Sequence, residues 1–173
     1  MNGVQVLTRE MREIQTSLLR ELEPLTEEHI YYAPIPGATT IAFIAWHITR
    51  TLDDAVHESI PVEPKPTIWT AQGYHERFVM PAGEGTGTGF TADQVGDFRP
   101  GLELLRAYGT EVGPTIPAAF EGMTDDDLDR VMDEERPDRT LARLLQTFII
   151  GHTYYHLGEI RYLKGLQGMP FAL

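Results

Sequence analysis

Apolar residues recur at helical spacing from the first residues of the chain. The series runs at steps of three or four and comprises Val4, Leu7, Met11, Ile14, Leu18 and Leu22. This spacing places them on one face of an α-helix and leaves charged residues for the opposite face. Pro24 predicts where this first helix ends.

A second helix is predicted to begin at a cap on Thr39 or Thr40 and to run to about His57. Its inward face comprises Ile44, His47, Ile48, Thr51 and Ala55. A third series follows the capping-box pattern Thr91–Gln94 and comprises Val95, Phe98, Leu102, Leu105, Val112, Ile116 and Phe120. Prolines interrupt this series, so we expect its helix to be kinked or broken.

The last predicted helix is capped by Thr140 and ends near Gly165 and Gly168. Its stripe comprises Leu141, Leu145, Phe148, His152, His156 and Leu163. Four amphipathic helices without sustained strand alternation predict an all-α fold, a four-helix bundle, in one domain over residues 1–173.

The segment 61–90 between the second and third helices differs from the rest of the chain. It is rich in proline at its start and in glycine from Gly83 to Gly89, and its middle is aromatic. A connection this long is usually functional or disordered, so we predict a long irregular lid loop with a short helical turn inside. Trp69 and Tyr74 are expected to cover the site or to close over the core. His75 is expected to reach a substrate or to pack.

Composition limits the classes of partner. The chain has 26 acidic and 14 basic residues, a formal net charge of −12. This charge argues against binding to nucleic acids and to anionic membranes, which requires clustered Lys and Arg. No apolar run approaches the roughly 20 residues of a membrane helix and no signal peptide is visible, so a cytoplasmic location is expected.

Residues 121–139 hold much of the negative charge. We favour a solvated loop there over a cation-binding loop, because the glycine and ligand spacing of an EF-hand is missing. The chain has no cysteine. Disulfides, cysteine-ligated metals and an intrinsic thiolate nucleophile are therefore excluded.

Two histidines of the last helix, His152 and His156, are four residues apart. On a helix this spacing separates them by about 40° in azimuth and about 6 Å along the axis, so both imidazoles can reach one ion. They are in phase with the apolar stripe, where unsatisfied imidazole nitrogens are unfavourable. Metalloproteases of the H-E-x-x-H type are excluded, because Thr153 occupies the position of their glutamate.

His47 is also in phase with an inward face, which makes a third imidazole available to the same core. Three neutral nitrogens with an open position are typical of a catalytic metal site, and zinc or nickel suits such ligands. The alternative for each histidine is a satisfied core residue. Both interpretations stay open from the sequence, although the combination favours the metal.

Other residues are candidates for supporting roles. Asp54 and Glu159 each lie seven residues after a candidate ligand, on its helix face, and are expected either to orient an imidazole or to remain surface charges. Tyr155 lies three residues after His152 and is expected to face the pocket or, more readily, to pack in the core.

The order of these motifs resembles that of the DinB-like (YfiT-like) superfamily of metalloenzymes. The resemblance lies in Ala45-Trp46-His47-Ile48, in the Gly151–Ile160 segment with its two histidines, and in the Gly-rich end, and it spans nearly the whole chain. It implies a bundle in up-down-down-up order, commonly a homodimer, with a divalent metal on His47, His152 and His156.

The resemblance further implies a transferase or isomerase that uses a small thiol. Because the chain lacks cysteine, such a thiol must come from a co-substrate. A metal-dependent hydrolase and a non-enzymatic, metal-containing small-molecule-binding stress protein are the alternatives.

Overall fold

The computed structural model describes residues 1–170, and over that range the secondary structure is helical apart from one isolated β-bridge between Val131 and Thr140. The predicted all-α class is therefore confirmed. The last three residues of the domain predicted over 1–173 lie outside the described residues.

The described residues form long helices that alternate with short helical segments. They are α1 (Gly3–Leu22), α2 (Glu27–Ile30), α3 (Ile41–Asp54) with a π-helix (Ala55–Ser59), α4 (Ile68–Ala71), α5 (Tyr74–Arg77), α6 (Ala92–Asp97), α7 (Leu102–Val112), α8 (Thr115–Ala119), a 3₁₀-helix (Asp125–Asp129), α9 (Leu141–Arg143), a second π-helix (Leu144–Gly151) and α10 (His152–Leu166). Helix α3 packs against α7 and α10, and α1 packs against the same two helices.

Helix starts are set by side-chain caps. Thr40, Thr91 and Thr140 accept hydrogen bonds from backbone N–H groups at the starts of α3, α6 and α9, which confirms the three predicted caps. Asn2 caps α1 in a reciprocal capping box with Gln5, which the sequence analysis did not identify.

The predicted stripes form one apolar core. The third series is buried from Val95 to Phe120. Its helix is interrupted around Pro100 and again at Gly113–Pro114, as the prolines predict. The acidic region supports this core. Asp125 accepts hydrogen bonds from the N–H groups of Gly3 and Val4 at 3.1 and 3.0 Å, which anchors the start of α1.

The segment 61–90 contains more regular structure than the predicted irregular loop with one helical turn. It contains α4 and α5, and its Trp69 and Tyr74 are 0% exposed. The Trp69 ring lies 5.9 Å from that of Trp46 on α3, centroid to centroid. Trp69 therefore closes over the core, which was one of its two expected roles.

Phe148 departs from the predicted stripe, because it is 48% exposed instead of facing the core. The reason is the π-helix Leu144–Gly151, whose i→i+5 hydrogen bonds wind more residues into each turn and so shift the register. Among residues 1–170, we find no helix of the length and apolarity that crossing a membrane requires.

Candidate metal centre

His47, His152 and His156 converge in the structure. One ring nitrogen of each lies within 4.8 Å of the others. The ring centroid of His47 is 5.1 Å from that of His152 and 4.8 Å from that of His156, and the ring planes are nearly perpendicular, at 78° and 83°. The rings therefore meet edge to face around a common point, although 105 residues separate His47 from His152 in sequence.

The tautomer of His47 is set by the segment 61–90. His47 is 5% exposed, and its Nδ1–H donates to the carbonyl oxygen of Thr86 at 2.6 Å. A carbonyl oxygen only accepts, so the proton lies on Nδ1 and the lone pair lies on Nε2. Hydrogen bonding at the far nitrogen is the usual way in which a metal-ligating histidine is oriented.

Glu159 fixes His156 in the same manner. The Nδ1–H of His156 donates to Oε2 of Glu159 at 2.7 Å, one turn further along α10. This hydrogen bond lowers the pKa of Glu159, which stays ionised. Of the two imidazoles on α10, the one that Glu159 contacts is that of His156. The lone pair of His156 therefore lies on Nε2.

His152 completes the group with its Nε2 only 3.0 Å from Nε2 of His156. Its Nδ1 is buried and has no hydrogen-bond partner among the described residues. Either the His152 Nε2–H donates to His156, or two lone pairs converge on a cation. Only the second arrangement also gives the lone pair of His47 a partner.

Burial favours the neutral form of two of the three imidazoles. It lowers the pKa of His47 and of His152 below the ordinary value of 6.5, and the nearby His156 lowers that of His152 further. Neutral imidazole is the form that ligates metals.

The donor set fits a divalent ion. In a tetrahedral zinc site with bonds of about 2.0–2.1 Å, two ligating nitrogens are about 3.3 Å apart. The 3.0 Å between His152 and His156 is close to this separation. His47 is held on a different helix, so it approaches from a second direction. Three neutral nitrogens leave the double charge of the ion intact, and Glu159 is the adjacent anion.

The helix that carries the pair is locally irregular just before it. The π-helix ends at Gly151, where an added Cβ would lie 3.1 Å from the carbonyl oxygen of Gln146. Regular α-geometry resumes at His152, which preserves the i, i+4 relation with His156. π-Helical turns within α-helices are frequent at functional sites.

Three other candidate residues lie apart from this cluster. Asp54 forms an ion pair with Arg50 at 2.7 Å, and burial raises the pKa of its carboxyl to about 6. Tyr155 is 78% exposed and points away from the core. His75 contacts the Trp69 carbonyl through Nδ1 at 3.1 Å, within the segment 61–90.

The sequence pattern does not indicate the backbone partner Thr86 or the contacts that hold it in place. Arg50 donates to the carbonyl oxygen of Glu84 at 3.2 Å, so two side chains of α3, one turn apart, hold carbonyls two residues apart. Gly87 then packs on α3, and a Cβ there would lie 2.6 Å from Trp46. The run of alternate glycines was the available signal for this close approach.

Comparison with known proteins identifies the fold and the family of the chain. The chain is similar to a structure described as the conserved protein of locus from Enterococcus faecalis, with a TM-score of 0.78 and 17% identity, covering 95% of this chain and 96% of that one. This likeness concerns the fold alone. No functionally curated protein matches the sequence. The family model of the DinB superfamily matches residues 10–160, and the chain belongs to that superfamily.

Proposed function

We propose that the protein is a divalent-metal-dependent enzyme whose ligands are His47, His152 and His156, and that it acts as a small-thiol-dependent S-transferase or isomerase. The observation that carries the proposal is the convergence of three imidazole nitrogens within 4.8 Å, two of them oriented by hydrogen bonds at Nδ1. Membership of the DinB superfamily supports it.

His47, His152 and His156 would hold a zinc or nickel ion, which would act as a Lewis acid and lower the pKa of a bound thiol or water. Residues of the chain position the site and balance its charge. His47 holds the site to α3 and to the segment 61–90 through Thr86. Glu159 balances charge beside His156. Since the chain has no cysteine, the nucleophilic thiol is a co-substrate.

We also propose how the helices are arranged and how the chain assembles. The long helices form a four-helix bundle in up-down-down-up order, and the segment 61–90 serves as a lid at the His47 side. The contacts of Glu84 and Thr86 with α3 support the second statement. A homodimer is also proposed. The exposed aromatic residues Tyr155 and Tyr162, seven positions apart on α10, support a face for the second copy.

Metal analysis of protein purified without an affinity tag tests the ligand set. We expect one divalent ion per chain, and strong loss of affinity in His47→Ala, His152→Ala and His156→Ala. His29→Ala is the matched control, because His29 is outside the cluster. Binding should weaken below about pH 6, where protons compete for imidazole. Unchanged affinity in all three variants would reduce the cluster to packed core histidines.

A panel of small thiols and electrophiles then tests the reaction class. Thiol-dependent turnover that is lost in His152→Ala supports the transferase or isomerase. Turnover with water in place of the thiol identifies a hydrolase. Binding of a small molecule without any turnover identifies a non-enzymatic binding protein.

A further inference from the structure

A second histidine site lies at the far end of α3, where the π-helix Ala55–Ser59 begins. Its centre is Asp53, whose side chain is 0% exposed. The carboxylate accepts hydrogen bonds from the Tyr108 hydroxyl at 2.6 Å and from the N–H groups of Ile68 and Trp69 at 2.9 Å each. Burial opposes ionisation of Asp53, yet these bonds and the one from His57 hold its pKa below the ordinary value.

His57 is oriented by this buried carboxylate. Its Nδ1 lies 2.8 Å from Oδ1 of Asp53 and 2.9 Å from the carbonyl oxygen of the same residue. Both are acceptors, so Nδ1 carries the proton. The hydrogen bond to Asp53 raises the pKa of His57, which favours the imidazolium. With Nδ1 turned inward, Nε2 at the opposite edge of the ring is the nitrogen directed outward.

Lys65 places a second positive charge beside His57. Its backbone N–H donates to the His57 carbonyl oxygen at 2.8 Å, which ties the two residues together. Both side chains line the same cleft, and the charge of Lys65 acts against protonation of His57. The chain has only two lysines, and the other, Lys164, is buried against Glu21. Like charges held together in this way are a feature of anion sites.

Both residues line an open cleft of about 560 Å³ between the π-helix and α8. Its lining includes an apolar set of side chains, those of Val56, Ile60, Val62, Ala118 and Met123. Arg130 adds a third cation, which is fixed by donating to the carbonyl oxygens of Ser59 and Ile60. The acidic residues that line the cleft are Glu121 and Asp127. The carboxylate of Asp127 accepts hydrogen bonds from the N–H group and the hydroxyl of Thr124.

We propose that this cleft binds an organic carboxylate with an apolar body. The carboxylate accepts from Nε2 of His57 and from Nζ of Lys65, while the body lies on the apolar side chains of the cleft. The volume suits a small molecule, since ligand pockets span about 300–1,000 Å³ and combine apolar walls with a few polar groups. This site shares no residue with the three-histidine cluster, so it does not depend on the metal.

Calorimetric titration with hexanoate tests the proposal, with 1-hexanol and hexylamine as matched controls of equal apolar length. We expect the parent protein to bind hexanoate about tenfold or more tightly than 1-hexanol, because hydrogen bonds to charged groups are the stronger ones. Equal binding of the acid and the alcohol would overturn the proposal. Absence of hexanoate binding at about 10 mM, a concentration that detects even millimolar affinities, would overturn it as well.

Variants locate the site. His57→Gln should weaken hexanoate binding about tenfold, whereas His29→Gln should not. Because His57 also supports Asp53, Lys65→Gln provides a variant outside the buried network, and Lys65→Arg should restore binding. Ala118→Trp should block the cleft from an exposed helix position. Hexanoate affinity unchanged by both Lys65→Gln and Ala118→Trp would place the ligand elsewhere.

Discussion

The Nδ1–H of His47 donates to the carbonyl oxygen of Thr86 at 2.6 Å, across 39 residues of sequence. One of the three imidazoles therefore depends for its tautomer on the backbone of the segment 61–90. Any change that moves this segment should alter the cluster of histidines without touching a ligand.

Gly87→Ala is expected to show this dependence. The residue has φ +84°, and an added Cβ would lie 2.6 Å from Trp46 and 3.0 Å from Phe43. The free energy of unfolding should fall by about 1–3 kcal/mol, and metal affinity should fall with it because Thr86 is displaced. Gly85→Ala is the matched control, since no atom lies within 4 Å of its Cβ. Denaturant unfolding and metal titration measure the two effects; equal behaviour of both variants would contradict the expectation.

Glu159→Gln should weaken metal binding while leaving the fold intact. The amide removes the negative charge that accepts from His156 at 2.7 Å. Loss of such an outer partner typically lowers metal affinity about 10–100-fold. Competition with a chelator measures the change, and Glu63→Gln, at an exposed residue, should leave the affinity as it is. A Glu159→Gln protein with parental affinity would mean that Glu159 has no role at the site.

Arg50→Gln is expected to reduce both stability and metal affinity. The guanidinium lies between Asp54, at 2.7 Å, and the Glu84 carbonyl, at 3.2 Å, so its loss frees the chain next to Thr86. Arg106→Gln is a control of the same kind, because Arg106 holds the carbonyls of Leu22 and Glu23 elsewhere. That variant should lose stability only. Equal metal affinities in the two variants would show that Arg50 does not position the segment.

Asp53 makes stability dependent on acid pH. Its folded pKa lies below the ordinary value of 3.8, despite the burial that opposes ionisation, because His57 and Tyr108 donate to it. The resulting stabilisation is fully present above that ordinary value and is lost as the pH falls through the lower folded pKa. Asp53→Asn should therefore destabilise the protein by about 3–5 kcal/mol at neutral pH and by less below pH 3.8.

Urea unfolding from neutral pH to about pH 3 measures this convergence of parent and Asp53→Asn. Asp126→Asn is the control, because that carboxylate is exposed. A stability difference between Asp53→Asn and the parent that stays constant over this range would show that the charge of Asp53 does not stabilise the fold.

Local signals in the sequence predicted the helices well. The stripe of α1, the cap at Thr40 and the breaks at Pro100 and Pro114 depend on spacing, capping and backbone sterics, all of which act within a few residues. The convergence of His47 with His152 and His156 also followed from their shared inward faces. The helices depend on local signals alone, whereas the convergence of the histidines follows from their inward faces once the helices pack together.

The parts that the sequence did not predict depend on long-range contacts. Nothing near Thr86 indicates that its carbonyl accepts from His47, because the contact arises only when the segment 61–90 returns to α3. Asp54 lies on the same helix face as His47, but its carboxylate forms an ion pair with Arg50 at 2.7 Å. Periodicity gives the face of a residue and not the identity of its partner.

The π-helix Leu144–Gly151 determines where this part of the chain tolerates a change of length. Its wide i→i+5 turns hold an extra residue before His152, while the spacing of His152 and His156 is unaffected. Deleting one residue within 144–151 would let this segment wind as a regular α-helix, so Leu141 and Leu145, both 0% exposed, should keep their places in the core. Deleting a residue between His152 and His156 would instead turn one imidazole by about 100° relative to the other. A change of length beside the histidine pair is therefore absorbed by the π-helix and not by α10.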